Sequence, residues 1–129
     1  MRWLRDRGGR SKGGPKDLAE RLTGRGPFRV SGESAALSDR ERVQRWLHEL
    51  RPERDQQVLV HRPWGTVAAV ADGRHPVSVF LSDGAKAWFA AVPGAAGDGS
   101  LTPEQIEYVL LEALTATSPP DWPEWRHLV

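Results

Sequence analysis

The sequence predicts an α+β domain built as a two-layer sandwich, a four-stranded antiparallel meander flanked by an N-terminal and a C-terminal helix. Three observations carry this. Val43, Trp46, Leu47 and Leu50 recur at helical spacing; four short β-branched or aromatic runs between residues 58 and 92 are separated by turn residues; and Thr102-Pro103-Glu104-Gln105 opens a second helical stripe. Each helix has one apolar stripe to bury, and an antiparallel sheet offers a face to bury it on.

Taken in order, residues 1–15 place Gly8-Gly9, Gly13-Gly14 and Pro15 among arginines and lysines, which reads as a flexible basic leader to a single domain over 16–129. Residues 16–23 allow two helical turns with Leu18, Ala19 and Leu22 on one side and Gly24 as terminator, and Phe28-Arg29-Val30 has the content of a short strand. Ser38 and Glu41 have capping-box spacing, so a helix is expected from Ser38 to Leu50, stopping before Pro52. Val58–Val60, Thr66–Ala71, Val77–Leu81 and Lys86–Val92 are the expected strands, with Asp72-Gly73 and Ser82-Asp83-Gly84 as turns. One sheet face should pack on helices and the other partly face water.

After the loop at 93–100, Thr102 is placed to cap, Pro103 to occupy the first helical position and Gln105 to complete a capping box, with Leu101 stapled on Ile106. Ile106, Val109, Leu110, Ala113 and Leu114 continue the stripe to about Ala116, while Glu104, Glu107 and Glu112 lie off it. Pro119-Pro120 ends the helix.

With 39% hydrophobic and 27% charged residues among 129, the chain can afford a core. It has no cysteine, which removes disulfides, thiol nucleophiles and thiolate metal sites together. No apolar run follows the charged residues at the start, and none reaches membrane-spanning length, so a cytoplasmic protein is expected. Fifteen arginines against three lysines, with frequent Ala, Gly and Pro, fit a GC-rich bacterial genome.

The net charge of +1 conceals an asymmetry: residues 1–30 carry nine basic against three acidic residues, a balance of +6, and residues 31–129 carry nine against fourteen, a balance of −5. A basic arm precedes an acidic body.

Catalytic chemistry has no visible apparatus. His48, His61, His75 and His127 have no ligand spacing, and a metal set from His61, His75 and Asp72 requires convergence across hairpins. Ser78 and Ser82 lack a Gly-x-Ser-x-Gly elbow. Asp72, Asp83 and Asp98 adjoin turn glycines, where aspartate bonds its own backbone. Gly14 precedes Pro15 rather than a lysine, so the leader is no phosphate loop. The expectation is a non-enzymatic protein without catalytic, cofactor or metal residues.

Six tryptophans outnumber three phenylalanines. Trp46 and Trp88 fall in core positions of a helix and a strand. Trp122 and Trp125, in the proline-rich tail, are read either as cover for a sheet edge or as anchors for a partner.

Residues 101–129 resemble the C-terminal part of the actinobacterial immunity proteins of polymorphic toxin systems, the family paired with deaminase-type toxins. In that family a helix is followed by Thr-Gly-x-x-Pro and a tryptophan. Here the helix is followed by Thr117, by Ser118 in place of the glycine, by Pro119-Pro120, and then by Trp125. The resemblance implies a protein that binds and neutralises a toxin. Glu104, Glu107, Glu112, Asp121 and Glu124 would form an acidic docking surface, with Trp122 and Trp64 as apolar anchors. The alternatives are a small adaptor or chaperone-like domain for another protein, or a nucleic-acid-associated protein using Arg2, Arg5, Arg7, Arg10, Lys12 and Lys16.

Overall fold

The computed structural model describes residues 2–4 and 35–128. Its elements are β1 (Arg2–Leu4), α1 (Arg40–Glu49), β2 (Asp55–Arg62), β3 (Gly65–Asp72), β4 (Ser78–Ser82), β5 (Ala87–Ala91), α2 (Pro103–Ala113) and β6 (Glu124–His127). The expected helix at 16–23 and the strand at 28–30 lie outside the described residues, as does the leader apart from Arg2–Leu4, which pairs as β1.

The strands form one sheet in the order β1-β2-β3-β4-β5-β6, every neighbouring pair antiparallel. The expected four-stranded meander is therefore the centre of a larger sheet. β6 adds to β5, from Ala91↔Glu124 to Trp88↔His127, and β1 adds to β2, from Arg2↔Val58 to Leu4↔Gln56. Both added strands are too short for period-two patterning to reveal them; β6 reads Glu-Trp-Arg-His, with one large apolar residue. β2 and β3 are the longest, paired from Asp55↔Asp72 to Arg62↔Gly65 around the two-residue turn Pro63-Trp64. Gly65 has φ +150°, and a Cβ there would lie 2.6 Å from the Ser82 carbonyl oxygen of β4. Only glycine allows that approach.

α1 starts one residue later than the capping-box spacing predicts. Its cap is Asp39, whose side chain accepts from the Arg42 N–H, rather than Ser38. A carboxylate also meets the positive end of the helix, which a hydroxyl does not. The predicted stripe is the buried face: Val43, Trp46, Leu47 and Leu50 all enter the main core. In α2, Thr102, Pro103 and Gln105 take the expected capping roles, with Thr102 Oγ1 accepting from the Gln105 N–H and the Gln105 side chain from the Thr102 N–H. The helix ends at Ala113, short of the expected Ala116.

The main core joins both helices to one face of the sheet, through Val58 and Val60 of β2, Val67 and Ala69 of β3, Val79 and Leu81 of β4 and Ala90 of β5. The opposite face was expected to meet water in part. It carries a second apolar cluster instead, Leu59, Ala68, Val70 and Phe80, all buried, with Phe89 and Leu128 beside it. In β3 the residues from Val67 to Ala71 are buried without interruption, the pattern of a strand covered on both faces.

Candidate partner-binding surface

The apolar stripe of α2 turns Ile106, Val109, Leu110 and Ala113 inward, which leaves Glu104, Tyr108 and Glu112, spaced by four, as one outward row. All three are exposed. Tyr108 is 55% accessible, and it and Leu37 are the exposed large apolar side chains among the described residues. Its ring meets the Trp122 indole edge-on, with centroids 6.4 Å apart and planes at 84°. Trp122 is half-buried and packs on the main core, so it braces the tyrosine from below. Asp121, next in the chain, is exposed.

The other expected partner-binding residues are engaged within the chain. Glu107 is half-buried between the helices. One carboxylate oxygen accepts from the Gln44 amide, and the other lies 2.9 Å from His48 Nε2. The His48 bond outweighs the effect of partial burial, and with Gln44 it holds the Glu107 carboxyl below its ordinary value. This carboxylate fastens α1 to α2.

Glu124 accepts from the Gly94 N–H at 3.1 Å and lies 3.5 Å from Arg126 Nε, which places it on the loop side of β6. Trp64 Nε1 donates to the Ala116 carbonyl at 3.0 Å, and the Arg62 guanidinium donates to the Leu114 carbonyl. The β2–β3 turn thus holds the carbonyls freed where α2 ends. Trp125 Nε1 donates to the Pro120 carbonyl at 2.8 Å and its ring packs on the core.

The structure therefore brings Glu104, Glu112 and Trp122 together, with Asp121 beside them in the chain, around a residue that sequence reasoning passed over. Tyr108 is the only tyrosine in the chain and sits midway between two glutamates at helical spacing. That placement on the polar side of α2 was the available signal.

Next to the row, a cleft of about 490 Å³ opens between the end of α1 and the start of α2, floored by Leu47, Leu50, Val77 and Ile106, with Glu104 and Glu107 in its wall. It adjoins a second cleft of about 320 Å³ through Pro76, Val77 and Leu101.

The histidines do not converge. His75 Nδ1 is 2.9 Å from Asp72 Oδ2, whereas His61 pairs with Thr66 at the other end of the β2–β3 ladder. Asp72 also accepts from the Arg74 and His75 N–H groups, both at 2.9 Å, so its carboxylate shapes the turn. Ser78 Oγ donates to the Pro76 carbonyl. Among the described residues no three His, Cys, Asp or Glu side chains are grouped to hold a metal ion, and no helix is long and apolar enough to cross a membrane. Comparison with protein-family models, with curated proteins and with solved structures finds no match to this chain.

Proposed function

We propose that this domain is a protein-binding module, and that the Glu104–Tyr108–Glu112 row of α2, extended by Trp122 and Asp121, is its docking surface. The observation that carries the reading is Tyr108, an exposed ring fixed against a half-buried indole and flanked by two carboxylates. With both helices on one face of the sheet, the outer row of α2 is free for a partner. A braced tyrosine offers apolar contact area at little loss of side-chain entropy, and such residues dominate binding energy at interfaces. The carboxylates select a basic partner and speed its approach.

Toxin neutralisation, implied by the likeness of residues 101–129 to immunity proteins, is the specific form of this reading. A toxin that acts on nucleic acid presents a basic cleft, which an acidic row with a central aromatic complements. A basic partner of another kind would make the same surface an adaptor.

A photo-crosslinking amino acid placed at position 108 of the full chain, in cells of the source organism, tests the proposal. A single discrete adduct to a protein with a basic surface is expected. It should be absent when the crosslinker stands at Lys86 and lost when Glu104 and Glu112 are changed to arginine. An adduct that survives charge reversal, or no adduct, rejects this surface as the docking site.

A further inference from the structure

The β4–β5 ladder stops at Phe80↔Phe89, although β4 begins two residues earlier, at Ser78, and β5 runs two residues further, to Ala91. Their outer neighbours keep pace, with Val70↔Ser78 on one side and Ala91↔Glu124 on the other. The cleft of about 320 Å³ lies where the ladder ends, and Val77, Val79, Phe80 and Phe89 give it an apolar floor. Two braced segments form its rim. The β3–β4 turn, shaped by the Asp72 carboxylate, brings His75. The loop before α2 brings Asp98 and Ser100, and it is held to the end of β5 by the Val92 N–H, which donates to the Gly99 carbonyl at 2.9 Å.

The hydrogens of the rim side chains are already committed. His75 Nδ1 faces Asp72 Oδ2 at 2.9 Å, so that nitrogen carries the proton and Nε2 is left as an acceptor. Ser78 Oγ donates to the Pro76 carbonyl, and Ser100 Oγ donates to Asp98 Oδ1 at 3.0 Å. Asp98 Oδ1 also takes the Ser100 N–H, while among the described residues nothing is bonded to Asp98 Oδ2 or to His75 Nε2. What these side chains can still offer is acceptors, two carboxylates stand among them, and no described residue lining the cleft is lysine or arginine. A donor-rich, positively charged head is the complement of such a rim, and an apolar body is the complement of the floor.

We infer that this cleft binds a small organic cation, an ammonium on an apolar body, with the head at Asp98 and His75 and the body over Val77, Val79 and Phe89. Its volume falls in the range of small-molecule pockets.

Matched probes of one size test the inference by NMR titration of the isotope-labelled full chain. 2-Phenylethylammonium should shift the Val77 and Val79 methyl and Ser100 amide resonances saturably at low millimolar concentration, and 3-phenylpropionate should not. Asp98→Asn keeps the acceptor for the Ser100 N–H and removes the charge. It should weaken the ammonium about two- to fivefold, the worth of one exposed ion pair, with the rest of the spectrum unchanged. Glu104→Gln, in the wall of the neighbouring cleft, should leave the affinity as it is. The inference fails if the ammonium gives no saturable shift, if the carboxylate binds equally well, if Asp98→Asn has no effect, or if the shifts centre on Leu47 and Ile106 instead. None of these results bears on the α2 row, whose partner is read by crosslinking at position 108.

Discussion

Asp72 and Glu107 are both carboxylates held ionised by donors, and the donors show what each one does. Partial burial alone would raise the Asp72 carboxyl. The backbone N–H and ring of His75 and the N–H of Arg74 overcome it and hold the group below its ordinary value. A carboxylate with a depressed folded pKa contributes stability above its unfolded value near 4, and that contribution is lost as pH falls through the folded value. Asp72→Ala should therefore cost about 1–2 kcal/mol at pH 7, the range for hydrogen bonds to a partly screened charge. The gap to the parent chain should narrow below about pH 4, which urea melts at pH 7 and pH 3 would show. A constant gap would mean that the charge is irrelevant to the turn. The aromatic residues divide in the same manner. Trp46, 2% accessible, fills the α1–sheet core. Trp46→Ala is expected to cost about 3–5 kcal/mol, whereas Tyr108→Ala should cost about 1 kcal/mol or less, the worth of one aromatic pair at the surface. Comparable losses in denaturant titrations would show that Tyr108 serves the core rather than a partner.

At the scale of elements, what could be read from the sequence was what recurs locally. The α2 start needs only Thr102, Pro103 and Gln105, all within four residues, and the structure has each in the role its spacing implies. Thr102→Ala should cost about 1 kcal/mol by leaving a helix-start N–H unpaired, and thermal melts give the comparison. The α1 start was missed by one residue because Ser38 and Asp39 are both competent caps, and only the folded entry angle chooses between them. Strand centres were placed correctly and strand ends were not: β2 starts three residues before its apolar run, at Asp55-Gln56-Gln57, because ladder pairing with β3 continues past the hydrophobic pattern. Turn glycines show the same limit. Gly65 and Gly84 look alike in sequence and both have positive φ, but a Cβ at 65 would strike the Ser82 carbonyl while one at 84 meets nothing. Gly65→Ala should therefore lower the melting temperature clearly more than Gly84→Ala. Equal losses would leave backbone conformation alone as the cause and remove the close approach to β4.

At the scale of the molecule, the tail that read as irregular and proline-rich closes the β5 edge of the sheet. β6 is short and carries Glu124, Arg126 and His127, which suits an outer strand, because charge and brevity discourage further strands from adding. Trp125 packs on the main core, and its indole N–H is tied to Pro120. The sequence offered both meanings for the tail tryptophans; the structure gives Trp125 to the edge and leaves Trp122 between core and surface, under Tyr108. Choosing between them required the position of β5, which no local pattern holds. Removal of residues 123–129 should therefore do more than shorten the chain. It strips the β5 edge, uncovers Trp88, and leaves an apolar strand with unpaired N–H and C=O groups. The truncated protein is expected to self-associate at micromolar concentration in sedimentation velocity. A full-length Trp125→Phe variant, which keeps the ring and loses one hydrogen bond, should stay in the parent's association state at a cost of about 1 kcal/mol. Should the truncated chain match the parent in both association and melting temperature, β6 would be an appendage, and Trp122 would need another support for holding Tyr108 in place.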